Sequence, residues 1–508
     1  MCSRSSGRLS RLSKQAKVGV VSKRSWSVVG FFVTAVTAAG RLNVPATPLP
    51  GARSDSRVVS LTLHATVNSK GRDTFAYNGK NIAPVIRVFP GDTLKIAYEN
   101  DLPVHSTESC AISPCKNMTN LHFHGLEISP QSPQDNVIDM MAMPGDTLHY
   151  EVKIPADHPP GLFWYHTHPH GESHRQALDG MSGAIVIEGM ERYLPEVRNL
   201  REQVLVVRGE SIEHSSDTAV LLRRVDAKPS SCGSESEAIE RVFTVNGEVR
   251  PAIGINPGER QFWRVVNASA DQYLDLQLDT QKLEIVALDG MPLAYHDREH
   301  PTKVVEHALV PPAGRLEAIV TGPEAGAHAT LRTLCVDTGS AGDPNPAMVL
   351  ADLRSGSPAQ PIAARNSRKL ALPEYKSLDL SAYESSPPDF TVIFTEDKNG
   401  FYINERKYEP DAAPMTRARV GTYQHWRILN GSAELHPMHI HQVHFLVFGE
   451  DGKRVENPVW LDTVNVPVGE TVDVVMDFTN PVIKGMSVFH CHLLNHEDKG
   501  MMAKILFE

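Results

Sequence analysis

Four short clusters of histidines at alternate positions stand out in this chain of 508 residues. Alternate side chains of a β-strand point to the same face, so one His-x-His pair can present two imidazoles to one metal ion. A single pair is weak evidence, but four pairs are difficult to explain without a metal. They lie in NLHFHGLE, FWYHTHPHGESH, ELHPMHIHQVHF and SVFHCHLLNHEDKGMM, and they are His122 and His124, His166 and His168, His439 and His441, and His490 and His492. Eight imidazoles exceed the needs of one ion and predict a cluster, although imidazole alone does not distinguish copper, zinc, iron and nickel.

A second set of side chains in the same segments does indicate the metal. It comprises two imidazoles, one thiol and one thioether, from His436, His496, Cys491 and Met501. This is the ligand set of a blue-copper electron-transfer site. A closed zinc site is the competing interpretation, but structural zinc rarely uses methionine and would not explain the neighbouring histidines.

The order of residues in FHCH predicts how the two sites are connected. On a strand, Cys491 points to one face, while His490 and His492 point to the other. The thiol then serves the electron-transfer site, and the two imidazoles serve the cluster. Electrons can therefore cross between the sites through the bonds of adjacent residues. His436, which Pro437 separates from His439, can turn towards the thiol in the same way.

The elements that must position these side chains form three copies of one pattern. Each copy begins with an aromatic residue three positions before an Asn and contains a Gly nine positions before its final Asn. The copies run from Phe75 to Asn100, from Phe243 to Asn267 and from Phe401 to Asn430. Between that Gly and the final Asn, apolar and polar residues alternate as in a half-buried strand. Long helical periodicity is scarce, and 36 Pro and 35 Gly interrupt short β-rich runs, which is typical of sandwiches and barrels.

We therefore predict an all-β chain of three homologous β-sandwich domains, at residues 56–190, 191–356 and 373–508. The histidine clusters fall in the first and third domains. In the second domain ASADQYLDLQLD follows Asn267 and contains no His-x-His pair. The eight imidazoles are thus expected to form a cluster shared between the first and third domains.

The composition is that of a globular protein and excludes some partners. A net charge of −10 gives no basis for binding nucleic acid or an anionic membrane surface. Besides Cys2 and Cys491, the chain has an even number of cysteines that an oxidising compartment could pair. They are Cys110, Cys115, Cys232 and Cys335, and their spacing makes a Cys110–Cys115 loop possible without settling the connectivity.

The first 40 residues have the composition of an export signal. Residues 1–54 contain no Asp or Glu but several Arg and Lys, and the apolar run SVVGFFVTAVTAA follows the basic part. This run is short for a membrane span and ends in small residues that suit cleavage. The segment SKRSWSVVGFF resembles a twin-arginine signal with Lys23 in place of the first arginine. We expect export to the periplasm or out of the cell; a Sec signal, a mitochondrial presequence and a disordered basic tail are the alternatives to the twin-arginine signal.

The four motifs, in this order and with these spacings, resemble a multicopper oxidase of the laccase-like type with three cupredoxin domains. HCHLLNHEDKGMM is similar to the C-terminal signature of that family, and the resemblance extends from about residue 58 to the end of the chain. It implies three consecutive Greek-key cupredoxin-like domains and four copper ions: one type 1, one type 2 and two type 3. By motif position, the type 1 ligands are His436, Cys491, His496 and axial Met501, the type 2 ligands are His122 and His439, and the type 3 ligands are His124, His166, His168, His441, His490 and His492.

The resemblance also implies an activity. Such enzymes remove single electrons from a reductant at type 1 copper and reduce O2 to water at the trinuclear cluster. Asp135 resembles the family's acidic residue near type 2 copper, with Asp139 as the alternative, and Glu497 resembles its second proton-relay carboxylate. An axial methionine favours a low-to-moderate potential. The expected substrates are therefore easily oxidised phenols, such as diphenols, or metal ions.

Two other functions remain open. A metal-ion oxidase acting on Cu(I), Fe(II) or Mn(II) in metal tolerance would use the same copper sites. A non-catalytic copper-binding protein of cupredoxin fold is the alternative from another class, although such proteins lose ligands that this chain keeps. Three domains in one chain suffice for both sites, so a monomer is expected.

Overall fold

Short β-strands are the main secondary structure of the described residues and helices are few, as the alternating segments predict. The computed structural model describes residues 49–53, 56–104, 115–211, 241–355, 368, 370 and 375–508. The predicted signal at residues 1–40 lies outside these ranges, as do Cys110 and Cys232. Cys335 is disulfide-bonded. Within the described ranges, no helix combines the length and the apolar character that a membrane span requires.

The strands of the first repeat form a five-stranded and a four-stranded sheet. The strands are β1 (Gly51–Ala52), β2 (Val58–Val67), β3 (Asp73–Ala76), β4 (Val85–Val88), β5 (Thr93–Asn100), β6 (His122–His124), β7 (Thr147–Lys153), β8 (Gly161–His166) and β9 (Ser182–Ile187). Their orders are β1-β4-β9-β8-β6 and β3-β2-β5-β7. The helix α1 (Ser173–Asp179) follows β8.

The second repeat has the same two-sheet plan. Its strands are β10 (Arg201–Ser211), β11 (Arg241–Val245), β12 (Glu248–Val249), β13 (Ala252–Gly254), β14 (Arg260–Asn267), β15 (Leu274–Leu278), β16 (Leu283–Leu288), β17 (Met291–Pro292), β18 (Lys303–Val305), β19 (His307–Val310), β20 (Arg315–Thr321), β21 (Ala329–Leu334) and β22 (Met348–Arg354). One sheet has the order β13-β22-β21-β15-β19, and the other has β12-β11-β10-β14-β20-β16-β17 with β18 beside β16. The short helix α2 (Leu293–His296) follows β17.

The third repeat closes the chain. After α3 (Ser381–Glu384) come β23 (Phe390–Asp397), β24 (Gly400–Ile403), β25 (Thr416–Ala418), β26 (Thr422–Asn430), β27 (His436–Ile440), β28 (Phe445–Glu450), β29 (Lys453–Arg454), β30 (Trp460–Leu461), β31 (Thr463–Val466), β32 (Thr471–Phe478), β33 (Gly485–Cys491), α4 (Leu494–Asp498) and β34 (Met502–Phe507). The sheet orders are β25-β34-β33-β27-β31 and β24-β23-β26-β32-β28-β29, with β30 beside β28. Short 3₁₀ turns occur at Met190–Arg192, Pro195–Asn199 and Pro481–Ile483.

The Asn and Gly residues of the repeated pattern have specific backbone roles. Asn78, Asn246 and Asn404 take positive φ angles of 50°, 54° and 49°, a conformation that Asn tolerates better than most residues. The final Asn of each copy pins two carbonyl groups with its side-chain amide: Asn100 bonds Asn117 and Ala142, Asn267 bonds Gln272 and Val310, and Asn430 bonds Glu434 and Val466. The repeated Asn residues of the sequence therefore correspond to backbone turns that recur in all three repeats.

Each repeat encloses an apolar core built from the inward faces of its two sheets. In β5 the burial alternates along TLKIAYEN, with Leu94, Ile96 and Tyr98 inside. Corresponding cores surround Trp263 in the second repeat and Trp426 in the third. The all-β class with three consecutive sandwich units, predicted from the alternation, is confirmed. The exact domain boundaries stay a prediction.

Candidate metal centre

The eight cluster histidines come together in one buried site. They extend from the ends of β6 and β8 in the first repeat and of β27 and β33 in the third. All eight side chains are fully buried or nearly so. Three groups of three have ligand nitrogens that all lie within 4.8 Å of one another: His122, His124 and His439; His124, His166 and His492; and His168, His441 and His490.

Strand register explains why the histidines converge. His122 lies opposite His166 in the antiparallel pair of β6 and β8, and His439 lies opposite His490 in the pair of β27 and β33. The two strand pairs face each other across the site. The ring of His122 stacks on that of His441 at 3.7 Å, and the ring of His124 stacks on that of His439 at 3.8 Å. One site is therefore assembled from two distant parts of the chain.

Hydrogen bonds fix the outward nitrogen of several rings. The Nδ1 atoms of His166 and His490 donate to the carbonyls of Thr167 and Cys491, both at 2.9 Å, and Nδ1 of His439 donates to the carbonyl of Asp462 at 2.8 Å. With the proton on Nδ1, the opposite Nε2 of each ring carries a lone pair.

Those lone pairs point into the site and suit metal ligation. Nε2 of His122, His166 and His439 has no hydrogen-bond partner among the described residues. Nε2 of His490 lies 3.3 Å from Nε2 of His168 and 3.2 Å from Nε2 of His441. Buried acceptors that face one another without a donor are costly unless a cation lies between them. The donor set therefore fits bound metal ions.

Burial also keeps these rings neutral, which is the form that binds metals. Desolvation lowers the pKa of His166 to about 3 and that of His490 to about 4. Burial and the neighbouring rings lower the pKa of His122, His124 and His439 well below the usual value. A cluster of neutral imidazoles is ready to accept cations without first losing protons.

The sulfur-containing set forms a separate group on the other side of β33. Sγ of Cys491 lies 3.4 Å from Nδ1 of His436 and 3.9 Å from Nδ1 of His496. Met501 accepts a backbone hydrogen bond from Cys491 at 3.1 Å and belongs to the same apolar core. Burial raises the pKa of the Cys491 thiol, and a bound cation would favour the thiolate instead. The structure thus brings together the side chains of His436, Cys491 and His496 and places the backbone of Met501 beside Cys491.

The two predicted carboxylates both lie against the cluster. Asp135 is buried, accepts hydrogen bonds from Phe123 N at 2.9 Å and Gln442 Nε2 at 2.6 Å, and lies 3.0 Å from Nδ1 of His122. Burial raises the pKa of Asp135 to about 8. The alternative, Asp139, is exposed and bonds Asn136 instead.

Glu497 contacts other imidazoles of the cluster and lies in helix α4. Its carboxylate oxygens are 3.5 Å from Nδ1 of His168 and 3.4 Å from Nδ1 of His490. Burial raises the pKa of Glu497 well above its ordinary value. A carboxyl group in this position can hold a proton beside the imidazoles at neutral pH.

Two acidic residues beside the candidate sites escaped the sequence analysis. Asp462 is fully buried between the histidines and lies 3.1 Å from Nε2 of His124. Glu434 is buried beside the sulfur site, with Oε1 at 3.2 Å from Nε2 of His496. Neither lies in a spacing motif, and both reach the site only through the tertiary fold. An isolated acidic residue in a largely apolar segment, as in VWLDTVNV, is the only local signal that either offers.

Comparison with known families agrees with the geometry. Three family models described as multicopper oxidase match residues 61–192, 163–328 and 382–508. Together they cover most of the chain. The multicopper oxidase mco of Staphylococcus aureus is 24% identical over 444 residues, which are 85% of this chain and 83% of that protein. A laccase of Haloferax volcanii is 27% identical over 423 residues, which are 77% of this chain and 67% of that protein.

Solved structures show the same fold. A multicopper oxidase from Campylobacter jejuni, described as a metallo-oxidase, aligns with a TM-score of 0.67 and 24% identity over 92% of this chain and 96% of that one. The McoA multicopper oxidase of Aquifex aeolicus aligns with a TM-score of 0.69 and 19% identity over 92% of this chain and 100% of that one. The predicted succession of three cupredoxin-like Greek-key domains is thereby confirmed.

Proposed function

The chain belongs to the multicopper oxidase family, whose members bind copper and use a reductant and O2, and from that premise we propose its reaction. It couples one-electron oxidation of a phenolic or similar small reductant to four-electron reduction of O2 to water. The observation that carries the proposal is the placement of Cys491 between His490 and His492. Its side chain meets His436 and His496, whereas theirs meet the other cluster imidazoles.

The proposed ligand sets follow the groups of nitrogen and sulfur atoms described above. Bound copper would supply one-electron redox chemistry at the thiol site and O2 reduction at the cluster. In this proposal the type 1 set is His436, Cys491, His496 and Met501, the type 2 set is His122 and His439, and the two type 3 sets are His124, His166 and His492, and His168, His441 and His490. The backbone of residues 490–492 is then the shortest covalent path between the two sites.

The chain's carboxylates manage protons in this scheme. Reducing O2 to two waters consumes four protons, which must reach a site that excludes bulk water. Asp135 is proposed to hold a proton beside His122, and Glu497 is proposed to hold one beside His168 and His490. Both groups are buried within contact distance of cluster imidazoles, so neither has to move far to deliver its proton.

A second candidate function is favoured by one observation at the sulfur site. Glu434 contacts His496, and burial followed by the neighbouring Glu396 raises the pKa of Glu434 to about 9. Glu434 beside the imidazole of His496, with Glu396 beside Glu434, would offer oxygen ligands to a metal-ion reductant such as Fe(II) or Mn(II). A metal-ion oxidase therefore remains the alternative to a phenol oxidase.

Spectroscopy combined with O2 uptake tests the proposed reaction. Copper-loaded protein should show the blue thiolate-to-copper absorption, a near-ultraviolet shoulder from the paired ions, and O2 uptake with a phenol such as 2,6-dimethoxyphenol. Four coppers per chain with no O2 uptake from any reductant would instead support a non-catalytic copper-binding protein.

A substrate comparison separates phenols from metal ions. Glu434→Gln removes a carboxylate beside His496, and Glu405→Gln removes an exposed carboxylate of the same repeat. For a phenol oxidase, KM for the phenol should change little in either variant. A selective rise in KM for Fe(II) or Mn(II) in Glu434→Gln would favour the metal-ion oxidase.

Export and a monomeric state are part of the same proposal. Residues 1–40 are proposed to direct the protein to the periplasm or out of the cell. N-terminal sequencing of the mature protein from cell fractions tests export, and light scattering on the purified protein tests the monomer. A mature protein that retains residues 1–40 in the cytoplasm would contradict the first.

A further inference from the structure

The second repeat contributes no imidazole to the cluster among its described residues, yet one of its side chains reaches the cluster's edge. Arg315, the first residue of β20, is buried between all three repeats. Its guanidinium bonds both oxygens of Asp462, from Nη1 to Oδ1 at 2.8 Å and from Nη2 to Oδ2. Such two-point pairs fix the plane of the carboxylate as well as its position.

Asp462 joins this guanidinium to imidazoles of the first and third repeats. Its Oδ1 lies 3.1 Å from Nε2 of His124 and accepts a hydrogen bond from Thr463 Oγ1 at 2.8 Å. Its backbone carbonyl accepts the Nδ1 proton of His439. The orientation of two cluster rings thus depends on where Asp462 is held.

Hydrogen bonds also fix the orientation of the Arg315 guanidinium. All five of its side-chain N–H groups have acceptors, which is the full donor capacity of arginine. Apart from the two bonds to Asp462, these are Leu162 O for Nε at 3.3 Å, Ala313 O for Nη1 at 3.0 Å and Asp289 O for Nη2 at 2.9 Å. Asp289 Oδ2 also accepts the backbone N–H of Thr463 at 3.1 Å. The second repeat therefore binds the segment that carries Asp462 through two residues, Arg315 and Asp289.

Gly125, which directly follows His124, leaves the space that this ion pair occupies. A Cβ atom at Gly125 would lie 2.4 Å from Asp462 Oδ2 and 2.5 Å from Arg315 Nη2. The residue also has a φ angle of +81°, which disfavours any side chain. The backbone next to a cluster ligand is thus shaped around the guanidinium–carboxylate pair.

The contact with Asp462 also explains an asymmetry among the histidines. His122, His166 and His439 leave Nε2 without a partner, whereas His124 and His441 leave Nδ1 without one and His492 leaves both nitrogens without one. A carboxylate at Nε2 holds the proton on that nitrogen and turns the Nδ1 lone pair towards the cluster. Burial by itself would raise the pKa of Asp462, but the charge and hydrogen bonds of Arg315, together with the neighbouring imidazoles of His439 and His444, lower it.

We propose that Arg315 is a positioning residue of the copper cluster: by clamping Asp462 it fixes His124 with Nδ1 as its ligand atom. The inference rests on the proposed copper cluster and assigns the second repeat a direct part in building it. Loss of the clamp frees Asp462 and lets His124 rotate or change tautomer. Outer-shell partners of this kind contribute roughly 10- to 100-fold to metal affinity.

The test compares two buried arginines of one sheet. Arg315→Met removes the clamp. Arg264→Met removes a guanidinium on the adjacent strand β14, which pairs with Glu202 of β10 and Glu317 of β20. Copper affinity is measured by competition with a chelator, and the blue absorption and the type 2 electron paramagnetic resonance signal are recorded. Arg315→Met should keep the blue absorption but bind cluster copper roughly 10- to 100-fold more weakly, with altered type 2 hyperfine splitting.

Arg264→Met controls for loss of stability. It should lower Tm, as Arg315→Met does, yet retain wild-type affinity for cluster copper. Equal affinity loss in both variants, or none in Arg315→Met, would overturn the proposal. Arg315→Lys keeps the charge but cannot bond both carboxylate oxygens and the same carbonyls. If Arg315→Met does not fold, the affinity of Arg315→Lys for cluster copper is measured instead, and the same loss is expected. Failure of the proposed function is distinguishable, because wild-type protein would then show no cluster signal.

Discussion

The second and third repeats share one frame but fill it differently. In both, the side-chain amide of the final Asn bonds the carbonyl of Val310 or Val466, and Leu274 and His436 lie opposite these two valines. The next pairs in register set Leu276 against Thr333 and Met438 against Cys491. Leu274 and Thr333 therefore occupy the positions of His436 and Cys491.

This correspondence extends to the cluster. Gln277 lies opposite Arg332 in the second repeat, where His439 lies opposite His490 in the third and His122 lies opposite His166 in the first. Backbone pairing is the same in all three. The same strand pairs therefore form with or without ligand histidines, and the side chains at these positions determine whether a metal site is present. In the second repeat, leucine and threonine occupy two of these positions and fill the core.

The largest effect is expected at Cys491, whose position in the second repeat is occupied by Thr333. Cys491→Ser should abolish the blue absorption and essentially all turnover, because oxygen is a poor substitute for the thiolate in a blue-copper site. Cluster copper should remain. Thr333→Ser is the matched control, since Thr333 is equally buried and its hydroxyl accepts from Asp275 N. That variant should lose about 1 kcal/mol of stability for one methyl group and no activity, and loss of folding in Cys491→Ser would indicate a structural role.

The next largest effect is expected at His439, which lies opposite His490 in the pair of β27 and β33. His439→Gln gives the third repeat the residue of the second and removes one proposed type 2 ligand. Copper per chain should fall from about four to about three, the type 2 resonance should vanish, and O2 uptake should fall with it. The blue absorption should stay, because His436 and Cys491 are unchanged. Unaltered copper content would refute the assignment of His439.

A smaller effect is expected from Asp135, the buried carboxyl group beside His122. Asp135→Asn keeps an acceptor for Phe123 N but cannot supply a proton, so O2 turnover should fall on the order of 100-fold. The rate at which a reductant bleaches the blue colour should not change. Asp139→Asn, four residues further along and exposed, is the control. Equal losses in the two variants would mean that Asp135 has no specific role.

The smallest effect is expected in the second repeat on removal of copper. A ligand present at a thousand times its Kd stabilises a fold by about 4 kcal/mol, and this stabilisation should be local. Hydrogen exchange followed by mass spectrometry should show faster exchange in β6, β8, β27 and β33 of copper-free protein. Exchange in β14, β15 and β21 should stay nearly constant. Uniform acceleration throughout would show that the frame depends on the metal after all.

The sequence predicted those parts of the site that depend on local spacing. The alternation of His166 with His168, and of His490 with His492, carries the strand geometry within it, so the grouping of ligands could be anticipated. Arg315 and Asp462 could not, because they are 147 residues apart and neither lies in a motif. Glu434 is similar, since its contact with His496 depends on how a turn after β26 folds back. The domain boundaries and the role of each ligand stay predictions.

The division of the cluster between β6 and β8 on one side and β27 and β33 on the other has a consequence for biosynthesis. His168 and His490 meet in the cluster although 322 residues separate them in the chain. At typical rates of translation the second follows the first from the ribosome after an interval on the order of tens of seconds. During that time the histidines of the first repeat exist without their partners. The complete set of eight histidines therefore exists only once residue 492 has been synthesised, so the whole cluster can assemble only late in translation or after it.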